Sequence, residues 1–452
     1  MGSAPSPTHT GPTSATFLDR IGIPRPLAWG FLGLLLFMIG DGVESGYLSP
    51  FLVRGGLSTQ QVAVLLSAYG ITAAVAAWSS GALSELWGPR RVMWAGLGIW
   101  AVCEVLFLVF GVMTFSYPVM VATYMLRGFG YPLFAFGFLV WITTATPRRR
   151  LGTAVGWFWF AFTGGLPTLG SLFAKATIPV VGEYLTLWLS LVLVLAGGLL
   201  TLLCVREPHG DLRVAEGRPV ATLLKSVTII WQQPKIGIGG VVRAINTAPE
   251  FGFLVFLPLF FTDTVGLSMS SWLTVLSAMF MSNIVWNLLF GVIGDRLGWR
   301  RTIAYCGGLG CAASTLLLYY VPLAAGAEVW VAVAVGVVYG ATLAGYVPLS
   351  ALMPSLSPEH KGAAMSVLNL GAGLSTFIGP AVVGLAIGPL GVGGVMWIFA
   401  GLYVVSAVLT LFLRLPDDDP AATAGKAGAE VTDPAPSSLV SAAGPSDAPG
   451  SR

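Results

Sequence analysis

The chain of 452 residues is 55% apolar and only 10% charged, with a formal charge of +3. A water-soluble globular protein carries about 25% charged residues, so water is not the main solvent, and so small a charge points to no nucleic-acid partner. Cys103, Cys204, Cys306 and Cys311 form no CxxC pair and sit in or at the ends of apolar segments, which excludes a disulfide framework or zinc site. His9, His209 and His360 are scattered through polar connectors. The sequence therefore offers no group of residues for a metalloenzyme or a Ser/His/Asp hydrolase, and it reads as a non-enzyme with neither metal nor cofactor.

Residues 1–26 are rich in Pro, Ser, Thr and Gly, lack the apolar core of a cleavable signal and are read as an N-terminal tail. Crossing a bilayer takes about 20 apolar residues. Segments that qualify run at 27–49, 61–84, 92–113, 117–145, 153–179 and 183–204, then at 236–261, 269–293, 302–322, 328–352, 362–388 and 391–413. The polar stretch 205–235 divides them six and six, into bundles at 27–204 and 236–413. Residues 414–452, mostly Ala, Pro, Ser, Gly and Asp, read as a disordered tail.

Lys and Arg stay disproportionately on the cytoplasmic side of a membrane. The connectors after even-numbered segments hold Arg90 and Arg91, Arg148 to Arg150, a group from Arg206 to Lys235, Arg300 and Arg301, and Lys361. Those after odd-numbered segments hold Arg54, with Lys175 near the outer end of segment five. Arg20 and Arg25 precede the first segment. One parity rule covers the loops and predicts a multi-pass plasma (inner) membrane protein with both termini cytoplasmic.

Self-comparison reveals a repeat. Gly81-Ala-Leu-Ser-Glu85-Leu-Trp-Gly88-Pro-Arg90-Arg91 returns, 210 residues later, as Gly291-Val-Ile-Gly-Asp295-Arg296-Leu-Gly298-Trp-Arg300-Arg301. The same offset relates Gly56-Leu57-Ser58 to Gly266-Leu267-Ser268, and Leu66-Ser67-Ala68 to Leu276-Ser277-Ala278. Several matches in register mean a duplicated six-helix unit, an arrangement common among secondary transporters. In each copy glycines allow close approach, the carboxylate can accept from a helix start in the other half, and the arginines can clamp carboxylates or lipid phosphates. A bare topology signal would explain the arginines but not the duplication. The loops are therefore read as a cytoplasmic gate that forms when that side closes.

These loops resemble the signature between helices two and three, and eight and nine, of the major facilitator superfamily. The second copy fits the pattern well; the first has Glu85 where Asp is usual and Leu86 where a basic residue is usual. The resemblance implies an all-α membrane protein of twelve transmembrane helices in two pseudo-symmetric six-helix bundles. A narrower resemblance, to polyol permeases for ribitol and D-arabinitol, rests on Met38-Ile-Gly-Asp41-Gly-Val-Glu44-Ser-Gly-Tyr47, Ala77-Trp78-Ser-Ser-Gly81-Ala-Leu-Ser, Trp87-Gly-Pro-Arg90-Arg-Val-Met-Trp94 and Arg127-Gly-Phe-Gly-Tyr131-Pro.

An ionisable residue mid-helix costs roughly 2.5–3.5 kcal/mol on insertion scales, so Asp41, Glu44, Glu104, Arg127, Arg243 and Glu250 each need a reason. Asp41 lies about 12 Å from the outer end of segment one and Arg127 about 15 Å into segment four, at 1.5 Å per residue. They share a level and can pair if the two helices are neighbours. The resemblance places these two helices beside the central cavity and likens the pair to that of proton-coupled sugar symporters. An ionised Asp41 would hold Arg127 and a protonated one release it; Glu44, one turn away, is an alternative proton carrier. A buried pair that only fixes packing is the simpler alternative. Glu104 reads at least as well as a structural partner, because the third helix is usually peripheral in the superfamily.

The expected substrate contacts are Tyr47, Tyr131, Trp157, Asn246, Glu250, Asn283, Asn287, Tyr346 and Asn369. Asn offers both a donor and an acceptor, as a hydroxyl requires, and aromatic rings cover C–H faces. Against this stand interhelical bonding for the Asn283–Asn287 pair and ordinary core packing for the aromatics. Intramembrane acids outnumber bases, which disfavours an anion. Together with the resemblance to the polyol permeases, this reads as a monomeric proton-coupled importer of a small neutral pentitol. A proton-antiport exporter of drugs or metabolites and a non-transporting receptor or scaffold are the alternatives.

Overall fold

The computed structural model describes residues 23, 25–146, 148–205, 228–357 and 361–414. The expected disordered tail beyond 414, most of the N-terminal tail and residues 206–227 of the connector lie outside these. Among the described residues all regular structure is helical. Ten stretches are long and apolar enough to cross a membrane.

In chain order the helices are α1 (28–54), α2 (Thr59–Trp87), α3 (Pro89–Val112), α4 (Tyr117–Ala145), α5 (148–181), α6 (Glu183–Cys204), α7 (Pro234–Thr264), α8 (Met269–Leu297), α9 (Trp299–Ala325), α10 (Val329–Leu356), α11 (361–390) and α12 (392–411). The last two form a continuous helical run broken at Gly391, whose φ of +65° turns the chain back. The span α5 contains a π-turn, Gly164–Leu169, around Pro167. Twelve crossings result. Residues 228–232, expected in the connector, are helical, and α7 begins two residues earlier than hydropathy alone suggests.

The repeat is visible in backbone geometry. Gly56 and Gly266 have φ of +117° and +87°, and each is followed by a serine N-cap: Ser58 Oγ accepts from Gln61 N and Ser268 Oγ from Ser271 N, both at 3.1 Å. Gly88 and Gly298, at φ +83° and +89°, end α2 and α8. A side chain at either position would strain the backbone, which explains why glycine recurs there.

Packing within each half depends on small residues, because lipid offers no hydrophobic drive to bring helices together. A Cβ on Gly33 or Gly197 would strike backbone across the α1–α6 contact, and one on Gly379 would strike α7 at Ala248 and Gly252. Between halves, Trp272 Nε1 donates to Gly46 O at 2.8 Å, Lys175 Nζ to Thr274 Oγ1 at 2.8 Å, Ser277 Oγ to Thr168 O at 3.3 Å and Thr376 Oγ1 to Gly70 O at 3.1 Å. Ser49 Oγ also donates to Val255 O. These bonds close the end of the molecule opposite the repeated arginine loops. At the arginine end, a Cβ on Gly81, Gly88, Gly291 or Gly298 would meet nothing within 4 Å, and Leu288 is 77% exposed.

Candidate functional site

The site begins with three glycines in α1. Gly40 lies against Ser190 and Val194 of α6, Gly42 against Leu166 of α5 and Gly46 against Leu273 of α8. This lets α1 sit deep among its neighbours, and a 3₁₀ turn at Val43–Gly46 tightens it just after Asp41. Asp41 and Glu44, three residues apart, thus share a face. In α3, Trp100 and Glu104 are one turn apart, and Gly130 of α4 leaves the space that the Trp100 ring fills. In α4, Tyr124 and Arg127 also face the same way.

These elements converge on the guanidinium of Arg127, which is fully buried. Its Nη2 lies 3.3 Å from Asp41 Oδ1, while Nη1 lies 2.8 Å from Glu44 Oε2 and 3.0 Å from Glu104 Oε2. Trp100 Nε1 donates to Asp41 Oδ1 at 2.6 Å and Tyr124 OH to Glu44 Oε1 at 2.6 Å. The guanidinium carbon stands 4.3 Å from the centre of the Trp100 ring and 5.0 Å from that of Tyr124, close enough for cation–π attraction. Three carboxylates around one arginine leave the cluster two positive charges short of neutrality.

A cavity lies between the halves. Asp41, Glu44, Ser45, Tyr69, Tyr124 and Tyr131 form its polar wall, and Leu166, Phe251, Leu254 and Pro380 are among its apolar lining. Tyr69 stacks beside Tyr131 and against Tyr124, with ring centres 6.2 and 4.9 Å apart.

Of the residues expected to contact substrate, Tyr131 is among the lining of this cavity and the others are not. Tyr47 is wholly buried and donates to Glu183 O at 3.2 Å; Tyr346 is buried and donates to Ser406 Oγ at 2.9 Å. Asn283 Nδ2 donates to Gly340 O of α10 and Asn287 Nδ2 to Asn283 Oδ1, both at 3.2 Å, so this pair bonds helix to helix. Trp157 packs against Phe160 with ring centres 5.5 Å apart. Asn246 is buried, while Glu250 is half-buried and Asn369 exposed. On α7 the half-buried residues Thr247, Glu250, Phe251 and Leu254 continue at helical spacing from Arg243, and the last two line the cavity. Sequence reasoning missed Trp100, Tyr69 and Tyr124 and gave Glu104 no functional place. The one-turn spacing of Trp100 to Glu104 and of Tyr124 to Arg127 is the signal that links two of the three to the charges.

At the end that carries the repeated loops, Asp295 is exposed and accepts from Trp299 Nε1 within its own loop at 2.9 Å; Arg296 and Arg301 are exposed. Arg90 Nη2 donates to Leu202 O at 2.8 Å, a cation capping the last turn of α6, and Arg91 is exposed. The side chain of Glu85 lies outside what is described.

The chain is similar over most of its length to proteins that carry solutes. It is 48% identical over 400 residues, 88% of this chain and 92% of the other, to the alpha-ketoglutarate permease of Bacillus subtilis (strain 168). It is 36% identical over 398 residues, 87% and 94% of the two chains, to the D-arabinitol transporter of Klebsiella pneumoniae. The crystal structure of the nucleoside transporter NupG shares its fold, with a TM-score of 0.67 at 16% identity, covering 86% of this chain and 99% of that one. The profile of the Major Facilitator Superfamily matches residues 30–341 and 239–444. With twelve crossings in two halves around a central cavity, and with that match, this chain belongs to the Major Facilitator Superfamily.

Proposed function

We propose that the protein is a proton-coupled secondary transporter that carries a small neutral polyol, such as ribitol or D-arabinitol, into the cell by alternating access. The observation that carries this reading is the Arg127 cluster. Its two missing positive charges sit in a bilayer that penalises net charge, and two of its carboxylates, Asp41 and Glu44, line the cavity through which protons would reach them. The arginine-rich end is assigned to the cytoplasm, and the side-chain bonds between the halves lie toward the opposite end, which supports reading this state as inward-facing. One charge crossing 100 mV supplies about 2.3 kcal/mol, enough for roughly a 40- to 50-fold gradient of a neutral solute.

A neutral solute fits the cavity wall. Its arginine is already engaged by three carboxylates, while carboxylates and tyrosine hydroxyls remain to bond hydroxyl groups. The relative named as a D-arabinitol transporter supports the polyol. Asp41→Asn is expected to abolish accumulation of polyol against a gradient while counterflow exchange stays measurable; undiminished proton-driven accumulation in that variant discards the assignment.

A second reading, a carboxylate substrate, is favoured by Arg243, at helical spacing on α7 from the cavity-lining Leu254, and by the relative named as an alpha-ketoglutarate permease. Purified protein in liposomes, offered ribitol, D-arabinitol and alpha-ketoglutarate with and without a pH gradient, separates the two. Uptake of alpha-ketoglutarate that Arg243→Gln cuts by tenfold or more, with no polyol uptake, replaces the first reading with the second. Movement of neither solute class by the purified protein discards both readings and leaves the exporter of drugs or metabolites and the receptor or scaffold.

A further inference from the structure

We infer that Glu104 is the standing counter-ion of Arg127, the carboxylate that keeps the arginine neutralised while Asp41 and Glu44 take up and release protons. This deepens the proton-coupling reading and rests on it.

The three acids around Arg127 are not equivalent. Asp41 and Glu44 line the cavity and each accepts a hydrogen bond from an aromatic donor, Trp100 or Tyr124. Glu104 is off the cavity lining and wholly buried. Its carboxylate lies 3.0 Å from Arg127 Nη1 as an ion pair, and since neither of its oxygens has a hydrogen-bonding partner among the described residues, that arginine is what keeps it ionised against the cost of burial. The Nε of Arg127 is likewise without one. Nη1 is therefore shared between an acid that the cavity reaches and an acid that it does not, at 2.8 and 3.0 Å.

When Asp41 and Glu44 are both protonated, Arg127 loses two of its partners. A lone guanidinium inside a bilayer is costly. Glu104 is then the remaining negative charge in contact, and the cluster as a whole is neutral, which is the charge state suited to reorienting across the membrane. When the cavity acids release their protons, Nη1 returns to Glu44. The proton comes from and returns to the cavity, and no other group changes charge. The charged and titratable groups around Glu104 are Arg127 and Tyr124 from α4, Asp41, Glu44 and Tyr47 from α1, and Cys103 on its own helix.

The test is the pH dependence of polyol uptake in proteoliposomes for wild type, Glu104→Gln and Glu104→Asp, with folding checked by thermal denaturation in detergent. Removing a negative charge beside Asp41 and Glu44 weakens their hold on protons, so Glu104→Gln is expected to move the midpoint of uptake to more acidic pH by about one unit or more. Glu104→Asp, which keeps the charge, should leave the midpoint near that of wild type. A Glu104→Gln profile that overlays wild type, or an equal acid shift in Glu104→Asp, overturns the assignment and leaves proton coupling standing. If Glu104→Gln does not fold, the Glu104→Asp midpoint decides alone: a wild-type value supports the assignment and a shifted one overturns it. Wild-type uptake indifferent to the pH gradient removes the proton-coupling reading, and the role of Glu104 with it.

Discussion

An Arg127→Gln protein is expected to lose accumulation of substrate completely and to be destabilised by about 3–5 kcal/mol, the usual result of removing one partner from a buried ionic group. Asp41, Glu44 and Glu104 would be left facing one another with no cation, in a site closed to water on the Glu104 side. The cluster could then escape its own repulsion only by holding a proton on each acid, and a site that cannot release protons cannot couple them to transport. Glutamine keeps much of the volume beneath the Trp100 and Tyr124 rings, so the effect reports charge more than packing. A thermal melt of the purified protein measures the stability loss. The double variant Arg127→Gln/Glu104→Gln should recover part of that loss, because one repelling charge has gone, and recover none of the accumulation. If the single variant still concentrates substrate, the cluster is packing and nothing more.

How much of this is legible in the chain depends on which physical signal each feature leaves there. Membrane crossings leave the strongest, since lipid demands long apolar runs, and the twelve segments emerge with errors of a few residues at their ends. The duplication is legible because its glycines serve the backbone, with positions 56, 88, 266 and 298 all at positive φ. The contact of Asp41 with Arg127 follows from depth, since helical rise is constant, once the family resemblance sets the two helices side by side. Depth says nothing of rotation about the helix axis, however. Glu104 and Trp100 lie at a compatible level on α3, but only the packed structure shows that this face of α3 turns toward Arg127. The same blindness puts Tyr47, Tyr346 and the Asn283–Asn287 pair at the cavity, whereas the structure points them into helix contacts. A polar residue inside a membrane bundle has two legitimate uses, substrate and neighbour, and sequence alone does not distinguish them.

The second large effect is steric and comes from a residue with no side chain. Gly42 lies between Asp41 and Glu44, next to Val43, and against the carbonyl group of Leu166 in the π-turn of α5, with Gly170 of the same helix facing it. A Cβ on Gly42 would fall inside that carbonyl group. The obstacle is backbone, so no rotamer change relieves it, and α1 and α5 must move apart. Overpacking a well-filled interior typically costs about 1–3 kcal/mol; here the cost should reach or exceed the top of that range, because the displaced object is a whole helix. Gly42→Ala should therefore fail to accumulate as folded protein, or should fold with Asp41 and Glu44 swung off Arg127 and with proton-driven uptake lost. Gly98→Ala is the control. A Cβ there meets nothing within 4 Å, and replacing a helical glycine by alanine gains up to about 1 kcal/mol from backbone entropy. Yield, melting temperature and uptake should thus fall for Gly42→Ala and hold or rise for Gly98→Ala. Equal behaviour of the two would mean that α1 does not pack on α5 as described, and the geometry that aims both carboxylates at Arg127 would lose its foundation.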